Sequence, residues 1–468
     1  MAVANKKDEQ FRSYALTGKP FRLLVSTCLP LALFQALQTI FKILDTLMAS
    51  HIGSSEVSAV AALSQITLMV TALGSGLAVG GCIKISEAYG KGDYDAVRRL
   101  VATVYSLAVL ISVVVAVVLI PFAEGFLRLL RTPEELIAAG AGYFRIEILT
   151  LVIQFFNTVY IAIERSRGHA KKILCLNMAI IVVKLSLSAF FVYGQGGGLN
   201  MIAMATLISQ LVMLAYVLYS MSCDDGAFRF SFRSISWKKG TVLPVLNLSY
   251  PVTTEKVLFA AGKVVVNSMS GMYGGVTVGA LGISNNIGGL TTSWHVGLSD
   301  GAAPLISQNR GAGRYRRTLH IYGWLLLLEV LVGAIGLLLV SQTLPWLAEI
   351  FARSKDSFDP EFCALIVEIH RWEMLGYVTL GVNSATIALL LGYGYTKLTL
   401  LLNVARVFVF RVPVLWMLQR FTELGAESVG ITMMVSNVCT GIAAAAIAVP
   451  VVIRILRKAR AEENGENP

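Results

Sequence analysis

Between residues 23 and 453 the chain is a succession of long apolar runs separated by short polar clusters rich in Lys, Arg, Gly and Pro. A helix needs about 20 apolar residues to cross a hydrocarbon core of about 30 Å. Runs that meet this lie at 23–50, 57–84, 98–121, 140–163, 175–195 and 199–222. A second set lies at 242–268, 276–304, 320–343, 366–391, 398–419 and 428–453. Twelve transmembrane helices are therefore expected. With the N-terminus inside, the inner segments hold 25 Lys and Arg and the outer segments 5. That asymmetry predicts both termini in the cytoplasm and an even number of spans.

The second set repeats the first. Residues 30–94 recur without a gap 221 positions later, with 17 identities in 65 positions. Prolines, glycines and a lysine carry the match: Pro30/Pro251, Lys42/Lys263, Gly53/Gly274, Gly76/Gly297, Gly80/Gly301, Gly90/Gly311 and Gly92/Gly313. Shared hydrophobicity cannot produce such a set. Further on, Gly168, Lys171 and Asn177 match Gly394, Lys397 and Asn403 at an offset of 226. The expected organisation is an inner tail (1–22), a lobe (23–222), a basic inner linker (223–240), a second lobe (241–453) and an inner tail (454–468). Six spans precede the linker, so both repeats enter the membrane in the same orientation. Their symmetry axis then runs along the membrane normal.

Composition narrows the class. The chain is 56% hydrophobic and 14% charged, where a soluble chain carries about a quarter charged residues. Lipid must be the solvent for most of it. The net charge of +11 could suggest nucleic acid, but the basic residues sit in short clusters between apolar runs. Six scattered cysteines have no metal or redox spacing and read as small packing residues. No metal or cofactor is expected. No removable leader is read; the first span itself would target the chain.

In sequence and order, several motifs resemble the multidrug and toxic compound extrusion (MATE) family. They are Pro30 with Leu44-Asp45-Thr46, Ile52-Gly53 and Val57-Ser58-Ala59-Val60; Ser307-Gln308-Asn309-Arg310-Gly311-Ala312-Gly313; and Gly392-Tyr393-Gly394-Tyr395-Thr396-Lys397. Ala205-Thr206 through Gln210 resembles the sixth-span pattern and brings Thr206 into the candidate binding set. The resemblance covers about 20–455. It implies an all-α integral membrane fold of two repeated six-helix bundles around a central cavity. It also implies export of amphipathic, often cationic, small molecules, driven by inward proton or sodium flow.

Ion coupling needs an ionisable group in the cavity wall, and a mid-membrane charge costs about 2.5–3.5 kcal/mol on insertion scales. Asp45 falls on the family's first-span acid; the alternative is a structural pair with Lys42 at i−3. Lys42 and its repeat partner Lys263 either snorkel to the outer interface or hold neighbouring acids charged. Lys184 and Ser188 stand where many relatives carry an Asn and an Asp, which removes oxygen ligands and disfavours sodium. Lys184 then either faces Asp45 as a tethered cation or snorkels. Glu255, one turn after Pro251, and Asp300, beside Gly301, complete the candidates. Glu147 and Glu373, each two residues after an arginine, read as outer-rim structure. Pro30 and Pro251 mark where the first and seventh spans can bend. The glycine turns at 90–92 and 311–313 follow apolar helices, so they read as left-handed caps rather than phosphate cradles. No nucleotide motif is present, so energy comes from an ion gradient or an external partner.

The leading expectation is a monomeric antiporter in the cell membrane, exchanging H+ (or Na+) for a small molecule, with no nucleic-acid partner. The alternative is a flippase for a lipid-linked precursor, which Lys42, Lys184 and Lys263 keep open. A channel is a third class.

Overall fold

The computed structural model describes residues 5–49, 54–122, 124–125, 134–194, 199–353 and 359–463. Side chains are described throughout these except at 42–49, 54–66, 134–141, 199 and 462–463. Among the described residues there is no β-strand. The first half of the chain forms α1 (Lys6–Thr17), α2 (Pro20–Ala49), α3 (Ser54–Lys91), α4 (Tyr94–Leu119), α5 (Glu134–Ser166), α6 (Ala170–Ala189) and α7 (Leu199–Ser222). The second forms α8 (Lys239–Ser270), α9 (Gly275–Gly311), α10 (Tyr315–Ala352), α11 (Pro360–Glu373), α12 (Tyr377–Gly392), α13 (Thr396–Phe408), α14 (Val412–Phe421) and α15 (Glu427–Glu463).

Ten stretches among the described residues are long and apolar enough to span a membrane. The tenth and eleventh expected spans are each broken into two helices, α11–α12 at the 3-10 turn Met374–Gly376 and α13–α14 near Val409–Arg411. α8 and α9, at 32 and 37 residues, are long enough but less apolar. They carry Glu255, Lys256, Lys263, His295 and Asp300 in the positions of spans 7 and 8. The apolar faces left exposed, such as Val109, Val113, Val114, Val117 and Val118 on α4, suit hydrocarbon. In a water-soluble protein a patch of that size would be a liability.

The repeat is visible in the backbone. Gly92 (φ 80°) and Gly313 (φ 74°) take the left-handed conformation at an offset of 221. Gly168 (φ 75°) and Gly394 (φ 76°) do so at 226. Each ends a helix in the way a Cβ-bearing residue resists. The Asp93 side chain then caps α4 by accepting from the Ala96 N–H at 2.8 Å.

Packing divides the described chain into two compact units: Met1–Thr17 with Ile40–Val257, and Gly18–Thr39 with Leu258–Pro468. These differ from contiguous lobes in one respect. The opening part of α2 packs with the second unit, and the opening part of α8 with the first. Glycines permit this. In the first unit a Cβ on Gly76 would stand 2.0 Å from Thr253 Oγ1, and one on Gly80 2.2 Å from Ser249 Oγ. In the second, a Cβ on Gly297 would stand 2.2 Å from Ala32 Cα, and one on Gly301 2.8 Å from Cys28 Sγ. Every residue in the first pair of contacts maps onto the second pair at the offset of 221. Each unit therefore contains the same close crossing of small residues, made by i, i+4 positions on both helices.

Each unit has its own core. Ile85, Tyr89, Val101, Tyr105, Val159 and Val245 fill the first. Leu281, Ile287, Ile366, Ile369, Tyr377 and Leu415 fill the second.

Candidate functional site

Of the residues singled out from sequence, Lys42 and Asp45 have their side chains outside the described residues; both lie on α2. Pro30 and Pro251 sit inside α2 and α8, which run through both without a helix break. Thr206 is half-buried on α7 and donates to the Ile202 carbonyl one turn back, at 3.1 Å. Glu255 is half-buried on α8, and Asp300 is half-buried on α9. Lys263 is exposed, with its Nζ 5.4 Å from the Phe259 ring centroid. Arg406 lies 5.5 Å from the same ring, so Phe259 collects two cations.

Lys184 has a charge partner in the first unit. Its ammonium acts electrostatically on Glu147 of α5. Arg145, by contrast, reaches Glu124 at 3.1 Å, and Arg371 pairs with Glu427 at 2.5 Å. Neither arginine turns to the glutamate two residues on in its own helix. Residues two apart on a helix do not share a face.

The basic loop after α5 of the first unit is tightly organised. Arg167 donates to both Asp8 oxygens, at 3.1 and 3.0 Å, and to Glu164 at 3.2 Å. It also bonds Asp224 and covers the Phe228 ring at 4.9 Å. Burial alone would lower the pKa of its guanidinium, but Glu164, Asp8 and Asp224 outweigh burial and hold it above the ordinary value. Arg12 donates to the Tyr89 and Gly90 carbonyls, both at 2.9 Å. The Phe11 ring fills the space a Cβ on Gly168 would occupy. α1 is thereby clamped across the C-terminal ends of α3 and α5.

The second unit encloses two polar groupings. In the first, Ser284 of α9 donates to Glu373 Oε2 at 2.6 Å and lies 2.8 Å from His370 Nδ1. His370 Nε2 lies 2.8 Å from the Tyr377 hydroxyl, and Tyr377 bonds Thr291. With Glu373 ionised, every proton in this train points the same way: Thr291 to Tyr377 to His370 to Ser284 to Glu373. His370, Arg411 and Arg406 all act electrostatically on Glu373. A Cβ on Gly288 would stand 3.3 Å from Glu373 Oε1, so that glycine lets the carboxylate lie against α9.

In the second grouping, one turn past Thr291 on α9, His295 Nδ1 lies 2.5 Å from Glu329 Oε2 of α10. Glu329 is 0% and His295 3% exposed. The Ser384 hydroxyl of α12, with one proton to share, lies 3.0 Å from Glu329 Oε1 and 2.9 Å from the His295 carbonyl. A Cβ on Gly381 would meet the Glu329 carbonyl at 2.4 Å and His295 Cε1 at 3.2 Å. Bare glycine is what lets α12 close over the pair. The sequence singles out Asp300 on α9, and Glu329 is not among its candidates. The signal was there, since Glu329 is the sole charged residue between His320 and Glu349. An ionisable group inside an apolar span is a functional candidate by default.

Comparison with known proteins places this architecture. The MatE family profile matches residues 30–190 and 251–417, two stretches whose starts are 221 apart. Among curated relatives, the probable multidrug resistance protein YoeA of Bacillus subtilis is 22% identical over 403 residues, covering 84% of this chain and 86% of that one. The multidrug export protein MepA of Staphylococcus haemolyticus is 23% identical over 420 residues, covering 88% and 90%. The probable multidrug resistance protein NorM of Thermotoga maritima is 23% identical over 434 residues, covering 88% of each. Among solved structures, an outward-facing multidrug resistance MATE family transporter of the MOP superfamily superposes with a TM-score of 0.91 at 19% identity, over 97% of this chain and 99% of that one. A MOP superfamily transporter from Pyrococcus furiosus does so at 0.90 and 19%, over 97% and 99%.

Proposed function

Because the chain belongs to the MatE family, a family of multi-pass membrane transporters, we propose that it is an ion-gradient-driven antiporter that exports small amphipathic, cationic molecules by alternating access. The observation that carries this reading is the family profile falling once on each copy of the internal repeat. Both copies of the repeat are matched, and the curated relatives are covered over most of their length. We place it in the cell membrane as a monomer, with both termini cytoplasmic by the Lys/Arg bias of its loops.

Asp45 is assigned the exchange of proton for cationic substrate. A carboxylate released from its proton can take the substrate's positive charge, and the two then compete for one site. Proton is favoured over sodium because Lys184 and Ser188 replace an amide and an acid with an ammonium and a hydroxyl. The Lys184–Glu147 coupling also gives one lysine of the flippase alternative a carboxylate partner, which weakens a cationic pocket for pyrophosphate.

The test is uptake of a cationic dye into inverted vesicles under imposed proton or sodium gradients. Wild type should respond to the proton gradient, Asp45→Asn should lose uptake, and Lys184→Asn should alter ion dependence. Full transport by Asp45→Asn at equal expression would remove Asp45 from the mechanism, and a response to sodium alone would reverse the ion assignment.

A further inference from the structure

The two polar groupings in the second unit differ in one respect. In the Thr291–Tyr377–His370–Ser284–Glu373 train both His370 nitrogens, the Ser284 and Tyr377 hydroxyls and Glu373 Oε2 have counterparts, and Glu373 is acted on by His370, Arg411 and Arg406. In the His295–Glu329 pair the count does not close. With Glu329 ionised, His295 Nδ1 carries the proton that the carboxylate accepts, so Nε2 presents a bare lone pair. That atom is buried and has no hydrogen-bond partner among the described residues. A buried polar atom left without a partner costs about 1–3 kcal/mol, and a native structure keeps one where it has a use.

We propose that His295, positioned by Glu329, is a proton-binding site of the second unit, and that Nε2 takes up and returns one proton in each transport cycle. The balance is simple. Before uptake the pair holds a carboxylate and a neutral imidazole and is net −1. After uptake it holds a carboxylate and an imidazolium and is net zero, and no other bond changes. Among the described residues the polar side chains that act on Glu329 are His295 and Ser384, and neither is a fixed cation. The titratable groups on the helices packed around the pair are few among the described residues. α2 packs on α9 at Ala32 and Thr39, and its Lys42 and Asp45 side chains lie outside the described residues. α9 contributes Asp300, more than a turn away, and α10 contributes Tyr322, bonded to Thr386. α11 and α12 contribute His370, Glu373 and Tyr377, which are engaged in the satisfied train. Arg406 and Arg411 act on Glu373.

Ser384 and Gly381 make the site a built one. Ser384 fixes the free carboxylate oxygen, and Gly381 admits the ring edge. Glu329 acts through His295 and is a positioning residue. The proposal rests on the proton-coupled reading above, and its test separates the two.

Full-length protein in lipid nanodiscs, labelled at histidine, would be titrated by NMR between about pH 5 and 8. The His295 signal is identified by its loss in His295→Gln. In wild type His295 should gain a proton within this range, and Glu329→Gln should move that midpoint down by about one pH unit or more. In proteoliposomes, His295→Gln and Glu329→Gln should flatten the pH profile of gradient-driven dye transport. His320→Gln, at an exposed position on α10, should keep the wild-type profile. A His295 that holds one ionisation state across the range overturns the proposal, even where a proton gradient drives transport. So does a wild-type pH profile in His295→Gln. A titrating His295 in a transporter indifferent to proton gradients would leave the site standing and remove the coupling reading. The wild-type titration needs no variant to transport.

Discussion

The close crossing in the second unit can be broken by one methyl group. A Cβ on Gly297 would lie 2.2 Å from Ala32 Cα, 2.6 Å from Ala32 N and 2.8 Å from the Leu31 carbonyl. All three are backbone atoms. To reach ordinary contact at 3.4 Å the helices must part by 3.4 − 2.2 = 1.2 Å, since no side chain can turn away. Overpacking of this kind costs about 1–3 kcal/mol, and Gly→Ala in a helix interior returns about 0.5–1 kcal/mol. Gly297→Ala should therefore lose about 1–2 kcal/mol net. Gly323→Ala on α10, with nothing within 4 Å of its Cβ position, should be neutral or stabilising. The assay is loss of monodispersity on heating in one detergent at one scan rate, because such unfolding is rate-dependent. Double variants sharpen it. Ala32→Gly should not rescue Gly297→Ala, because the obstructing atoms are main chain. Thr253→Ala should partly rescue Gly76→Ala, because the nearest atom there is Thr253 Oγ1 at 2.0 Å and the next, Thr253 N, is at 2.9 Å. Rescue by Ala32→Gly, or a Gly297→Ala protein as robust as wild type, would refute the crossing as drawn.

Two further perturbations test other parts of the structure. Arg167→Met strands Asp8 in a buried setting, while Glu164 keeps His169 and Lys172, and should cost about 3–5 kcal/mol. Thermal stability should fall, proteolysis near α1 should accelerate, and added salt should not restore either, whereas exposed pairs such as Arg353–Glu349 are the salt-sensitive kind. For Glu147 and Lys184, a cycle of Glu147→Gln, Lys184→Asn and the double variant should show a coupling of about 0.5–3 kcal/mol in stability; additive effects would dissolve the pair.

How much of this was written in the chain can be judged residue by residue. Duplication was legible because Pro30/Pro251 and Gly92/Gly313 are constrained by backbone geometry, and geometry repeats when a fold repeats. The left-handed caps at Gly92 and Gly313 followed for the same reason, and those at Gly168 and Gly394 were visible only as a repeat match. Span positions followed from the length that hydrocarbon demands. What stayed hidden depends on partners distant in sequence. Nothing local says that Gly297 lies on Ala32, or that Arg145 turns to Glu124 rather than to Glu147. His295 and Glu329 lie 34 residues apart on separate helices, and periodicity gives no clue that their faces meet. The breaks at Met374–Gly376 and Val409–Arg411 were hidden too, since neither contains a proline.

The traded openings of α2 and α8 have a consequence for how such a chain could be divided. In physical terms the protein is a domain-swapped pair joined end to end, each copy lending its first few turns to the other. A polypeptide stopping at residue 222 would leave the small-residue groove of Gly76 and Gly80 bare, with its own Cys28 and Ala32 lacking a seat. Two severed halves produced together should find each other, and either one produced alone should be left searching for a twin.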